Sequence, residues 1–237
     1  MVRRTLALVS VFLFCWSATS VGGWKADVGV QVGGGLTRAQ YESDYFDGDS
    51  RYGPGYFVGI ITIVPLGSRS RLAIESGILF YQRGGETDFQ FVRTDPDAAI
   101  LWERTDTYDW RLGYMALPML LRYSFSEEGG LYVKAGPELA FLHTAELEKP
   151  VYDSESVEEP EAENVVANAR DSFNFYDVSV IGAVGYVFPA GVFSGFVEAS
   201  YVAGLRDVHH NPDGVFDVKL KNTTIGLSVG VLFSTRM

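Results

Sequence analysis

Cysteine is almost missing from this chain of 237 residues: the single one, Cys15, sits in an N-terminal apolar stretch. No disulfide can therefore staple the fold, and stability must come from strand pairing and packing. Long apolar runs are missing as well. Beyond the N-terminus no stretch stays apolar for the roughly 18 residues a spanning helix needs. Any passage through a membrane must then be made by strands. Basic stripes are absent too: 19 Lys and Arg face 30 Asp and Glu, a net charge of −11, which excludes a nucleic-acid partner. What the chain does have is Gly (26), Phe (16) and Tyr (13), a composition suited to many strands and turns.

The N-terminus reads as a secretory signal over 1–20. Arg3 and Arg4 open it, residues 5–16 are apolar, and Ala18, Thr19 and Ser20 supply the small-residue cleavage pattern. Its apolar core is too short for a bilayer-spanning helix, which needs about 20 residues. Phe12, Leu13 and Phe14 ahead of Cys15 are too bulky for lipoprotein processing, so no lipid anchor is expected. Residues 21–237 are expected to form one barrel domain.

The stretch 113–125, GYMALPMLLRYSF, sets the pattern for that domain. Its odd positions are Met115, Leu117, Met119, Leu121, Tyr123 and Phe125, while Arg122 and small or mixed residues hold the even ones. Only a strand sorts residues this way, because successive side chains point to opposite faces. The same alternation recurs over 24–36, 56–64, 71–83, 131–142, 175–188, 192–205 and 218–233. Connections alternate long (37–52), short (65–69), long (84–109), short (126–130), long (143–172), short (189–191) and long (206–217). Eight strands joined in that rhythm predict an antiparallel up-and-down transmembrane β-barrel, with short turns on the inner side of the membrane and long loops outside.

Two aromatic girdles support the membrane reading. On the apolar parity, Trp24, Tyr123, Phe125, Tyr186, Phe188, Phe193 and Phe233 fall at short-turn ends, and Phe80, Phe141, Tyr176 and Tyr201 near long-loop ends. Within 84–109, Phe89, Phe91, Ile100 and Trp102 flank a turn at 94–97, so a hairpin is expected to protrude past the membrane there. The acidic segment 143–172 has no periodicity and is expected to be a mobile loop.

The polar parity carries Gly29, Gly33, Gly77, Gly136, Gly185, Gly226, Ser228 and Gly230, small residues that suit a narrow lumen. It also carries charges of both signs: Lys25, Asp27, Glu75, Arg122, Lys134, Glu138, Asp177 and Glu198. In a lumen just wide enough to be filled by side chains, these are expected to form an interior charge network, since buried charges need partners. The rival is a secreted lipocalin-like carrier of an apolar ligand, which alternates in the opposite sense, with its apolar face inward.

Stretches 114–125, LYVKAGPELAFL (131–142), FYDVSVIGAVGYVF (175–188) and FVEASYVAGLRDV (196–208) leading to LKNTTIGLSVGVLF (220–233) resemble the PorT-like outer-membrane β-barrel family. The likeness covers nearly all of the chain after the signal. It implies an outer-membrane location after secretory export, no catalytic residue and, in some members, a part in a protein secretion and gliding apparatus. Barrels of this kind usually finish on an aromatic read by the assembly machinery. Here Phe233 is followed by Ser234, Thr235, Arg236 and Met237, so that signal is displaced.

Catalysis and metal binding find little support. His143 lies on the apolar parity, but no G-x-S-x-G context accompanies it. His209 and His210 beside Asp207 and Asp213 lack ligand spacing, and Asp44, Asp47 and Asp49 lack the twelve-residue calcium pattern. The acidic residues of 146–163 read as a solvated face. The expectation is no enzyme, no cofactor and no metal. The expected partners are outer-membrane lipid, the barrel assembly machinery during insertion, and an envelope or secretion protein. The last would meet Phe89, Phe91, Ile100 and Trp102, whose alternative is packing against one another across the hairpin.

Overall fold

Strict alternation becomes strand wherever it occurs, and strands extend past it. The computed structural model describes residues 26–43, 48–67, 70–94, 101–127, 129–152, 162–191, 193–208 and 218–234. The signal segment 1–20, Trp24, Lys25, Asp44, Asp47, Ile100, His209, His210 and Asp213 lie outside them. The strands are β1 (Asp27–Ser43), β2 (Gly48–Arg51), β3 (Gly53–Pro65), β4 (Leu72–Thr94), β5 (Leu101–Ser124), β6 (Gly130–Tyr152), β7 (Ala162–Asn168), β8 (Tyr176–Ala190), β9 (Phe193–Gly204) and β10 (Val218–Ser234).

Eight of them close on themselves in the order β1-β3-β4-β5-β6-β8-β9-β10, every neighbour antiparallel. Closure runs along β1 and β10 from Asp27 opposite Ser234 to Ser43 opposite Val218, so no edge is left to lipid. The chain is an eight-stranded antiparallel β-barrel. Strands β2 and β7 are outer additions, paired to the far ends of β4 and β6.

The short turns are held by main-chain bonds. Leu66 N–H donates to Leu72 O (2.9 Å), and Phe125 N–H donates to Leu131 O (2.9 Å). Gly191, at φ 74°, closes the third turn in a conformation that a β-branched residue would resist.

Burial decides which face is inside. Along β1 the residues Val28, Val30, Val32 and Leu36 are exposed, as are Ile225, Leu227, Val229 and Phe233 along β10, Val30 at 51% and Leu227 at 65%. A soluble carrier would hide these rows. The lipocalin-like rival is therefore not favoured. From Ile225 to Phe233 the band measures about 20 Å along the barrel axis, from about 3.4 Å per residue and a tilt of about 40°, close to the apolar belt of outer-membrane barrels. Aromatics edge it: Tyr186, Phe188, Phe193 and Phe233 are exposed at the short-turn ends, and Phe80, Tyr176 and Tyr201 at the other.

Beyond the band the long connections are less loop-like than their composition indicated. β4 and β5 stay paired for eleven further positions, from Gly84–Arg111 to Thr94–Leu101, which forms the protruding hairpin. Gly84 marks its exit: φ is 150°, and a Cβ there would stand 1.7 Å from Trp110 O. The expectation of a mobile loop over 143–172 is corrected for 143–152 and 162–172, residues 153–161 lying outside the described ones. β6 runs on to Tyr152, and Glu146–Tyr152 pairs with Ala162–Asn168, because backbone hydrogen bonds need no apolar side chain.

The outer end of the lumen is capped. After β7 a single helical turn, Arg170–Ser172, brings Phe173 inward, and Val208 after β9 joins it. With Leu112, Leu142, Ala145 and Leu220 they form an apolar plug, Trp110 packing edge-on to Phe173 at 5.5 Å. Asn174 N–H donates to Val208 O (2.8 Å) and Val208 N–H to Leu220 O (2.9 Å), tying both segments to the wall.

Candidate functional site

Two charge clusters lie beneath this plug. The first is near the short-turn end, on β4, β5, β6 and β9. Glu75 accepts hydrogen bonds from Arg122 Nη1 (2.9 Å) and from Lys134 Nζ. Lys134 also pairs with Glu198 (2.7 Å), which accepts a bond from Tyr132 Oη (2.8 Å). The Arg122 guanidinium sits 3.6 Å above the Tyr132 ring. Two cations meet two carboxylates, so the quartet is formally neutral and its members satisfy one another in a site closed to water.

The second cluster lies further out, on β4, β5, β6, β8 and β10. Arg83 donates to Glu138 Oε1 (2.5 Å), and its Nη1 stands 4.0 Å from Asp177 Oδ2. Asn222 Nδ2 bridges Asp177 Oδ2 (3.2 Å) and Tyr114 Oη (3.3 Å). Tyr81 lies under the guanidinium at 4.2 Å. Glu138 and Asp177 are fully buried, with one guanidinium between two carboxylates, so the cluster carries one formal negative charge in excess.

Of the interior residues marked in the sequence, Glu75, Arg122, Lys134 and Glu198 come together in one cluster and Glu138 and Asp177 in the other. Asp27 does not join them, which corrects that expectation: it faces Ser234 and Ile63 at the inner rim and is only partly buried. Lys25 is outside the described residues. Sequence reasoning missed Arg83, Tyr114, Tyr132 and Asn222. Parity could have found them, since Arg83 shares the phase of Glu75 and Tyr132 that of Lys134.

On the protruding hairpin, Phe89 pairs with Asp106, Phe91 with Arg104 and Trp102 with Arg93, all at ladder positions of one parity. Its base is polar: Thr107 Oγ1 donates to Asp88 Oδ1 (2.8 Å), and Arg51 of β2 pairs with Asp88. His143 is exposed at a bulge where β6 passes Gly113. Among the described residues no three His, Cys, Asp or Glu side chains are grouped to hold a metal.

A closed barrel with lipid-facing aliphatics and paired charges inside can be compared with known proteins. The family described as "Outer membrane protein beta-barrel domain" matches residues 20–210. The chain belongs to that family. It is an outer-membrane barrel, and its place is the outer membrane. No curated protein matches its sequence. Among solved structures it is similar to Ail, the attachment invasion locus protein of Yersinia pestis, at 14% identity over 88% of this chain and 99% of that one, TM-score 0.36. It is also similar to Neisserial surface protein A, at 10% identity over 86% and 96%, TM-score 0.40. A third likeness is to the N-terminal β-barrel domain of Pseudomonas aeruginosa OprF, at 12% over 86% and 97%, TM-score 0.32.

Proposed function

We propose that this outer-membrane barrel is a closed, non-enzymatic scaffold that presents its β4–β5 hairpin to a protein partner of the cell envelope, within a protein secretion or gliding apparatus of the PorT-like kind. The observation that carries this reading is the hairpin itself, a ladder of eleven paired positions beyond the lipid band. It places Phe89, Phe91 and Trp102 at ladder positions of one parity, beyond the lipid band. Binding residues concentrate on such projections from a rigid scaffold. The filled lumen favours binding over transport.

Export through the 1–20 signal and insertion by the assembly machinery, with Phe233 as its displaced aromatic, belong to the same proposal. The test replaces residues 89–104 with a short Gly-Ser turn. The shortened barrel is expected to keep its heat-dependent gel mobility and to lose support of secretion in cells. Undiminished secretion with the shortened chain would refute the reading.

A further inference from the structure

We propose that Arg206, Lys221 and Arg38 form a cationic patch on the lipid-facing outer rim that binds the phosphate of outer-leaflet lipid headgroups. The register makes them neighbours. Lys221 on β10 stands opposite Gln40 on β1, and Arg38 lies two positions further along β1, opposite Thr223. Arg206 follows β9, where Val208 N–H donates to Leu220 O, the residue before Lys221. Adjacent strands are about 4.8 Å apart, so the three cations occupy an arc roughly 10 Å wide.

Their height on the barrel fits headgroups. Arg38 and Lys221 continue the outward parity of Leu36 and Ile225, and Leu205 and Tyr201 lie just beneath Arg206; all four apolar residues are exposed to acyl chains. Cations at that level meet the phosphate layer.

Aromatic rings hold two of the three in place. The Arg206 guanidinium lies 3.8 Å over the ring of Tyr176, an outer-girdle residue, and Arg38 lies 5.7 Å from the ring of Tyr52. Stacking fixes the plane of a guanidinium while leaving its edge N–H groups able to donate in pairs to a phosphate.

Charge balance separates this arc from the rest of the rim. Among the described residues none of the three cations has a carboxylate partner. Asp207, the nearest in sequence, accepts a bond from Leu220 N–H (2.9 Å). Arg111, on the β5 side, is instead neutralised by Asp109 (2.9 Å) and Glu148 (3.0 Å). In a chain of net charge −11, three cations on one arc without a carboxylate among the described residues offer a site for an external anion.

The test reconstitutes the chain from residue 21 in phosphatidylcholine vesicles containing a minor share of lipid A, then counts lipid A retained per barrel after mild detergent extraction. The parent chain should retain lipid A and not its dephosphorylated form. Arg38→Gln/Lys221→Gln/Arg206→Gln should lower retention about tenfold or more. Arg111→Gln and Lys221→Arg should retain as the parent does. Should the triple variant not fold, Arg206→Gln alone should give a partial loss. Equal retention by the charge-removed variants, equal loss in Arg111→Gln, or full displacement by inorganic phosphate at equal concentration would overturn the proposal.

Discussion

Gly185 stands directly opposite Tyr132 in the β6–β8 ladder, and a Cβ on it would come within 2.4 Å of the Tyr132 ring. The glycine lets the ring lie across the strand, which carries Tyr132 Oη to Glu198 and sets the ring beneath Arg122. The same device recurs where Gly33 faces Phe57 and Gly230 faces Phe196, each with a would-be Cβ within 2.4 Å of the ring. Gly185→Ala is therefore expected to cost about 2 kcal/mol or more, because the collision is with a ring that has nowhere to retreat in a filled lumen. Urea unfolding in vesicles, followed by gel mobility, measures it. A loss below a few tenths of a kcal/mol would show that the ring is free to move.

The inner quartet should behave as a unit. Neutralising Glu75 leaves Arg122 and Lys134 buried with only Glu198 between them, a loss of about 3–5 kcal/mol. Removing one cation as well restores the balance, so Glu75→Gln/Arg122→Gln should cost less than the two single changes added together. A double-mutant cycle on unfolding free energies reads that coupling. Simple additivity would mean that lumen water screens the pair.

The outer cluster should respond asymmetrically, because its two carboxylates hold Arg83 unequally. Glu138 holds the closer contact with Arg83, whereas Asp177 is 4.0 Å away and leans on Asn222. Asp177→Asn removes the excess charge and is expected to change stability by less than about 1 kcal/mol. Glu138→Gln takes away the guanidinium's close partner, leaving only Asp177 at 4.0 Å, and should cost about 3 kcal/mol or more. The two variants, compared by the same unfolding assay, test whether charge count or hydrogen bonding dominates here. Both changes bring the cluster to formal neutrality, so equally small losses would mean that charge count dominates, and the expected gap that the Arg83–Glu138 bond does.

How legible this was depends on the solvent each segment meets. Lipid tolerates no polar face, so Val28, Val30 and Val32, or Ile225, Leu227 and Val229, keep a strict period of two, and the staves were readable. Outside the bilayer that pressure ends. Glu146–Tyr152 and Ala162–Asn168 pair in a ladder, but their mixed sequences, ELEKPVY and AENVVAN, carry no sustained period of two. Arg83 was hidden for a related reason: Gly84 and Gly85 read as the start of a loop, although β4 continues through them to Thr94. Interior partnerships were legible only as parity, because which charges meet depends on stagger around the closed ladder.

Conductance tests the lumen as a whole. An eight-stranded barrel encloses little more than its own side chains, and here three layers fill it: the quartet around Lys134, the cluster around Arg83, and the plug of Phe173, Val208 and Leu220. The wild-type barrel in a planar bilayer is expected to give no unitary current steps. Phe173→Ser should weaken the plug and remain silent as well, since an ion passing it still meets Glu138, Arg83 and Asp177 locked across the lumen. Arg83→Ala/Glu138→Ala/Phe173→Ser leaves the quartet around Lys134 in place and should stay silent too; adding Glu75→Ala/Lys134→Ala breaches the last layer and is expected to leak. Ohmic steps from the wild type would mean that these contacts open in the membrane, and the closed scaffold would have to be abandoned for a pore.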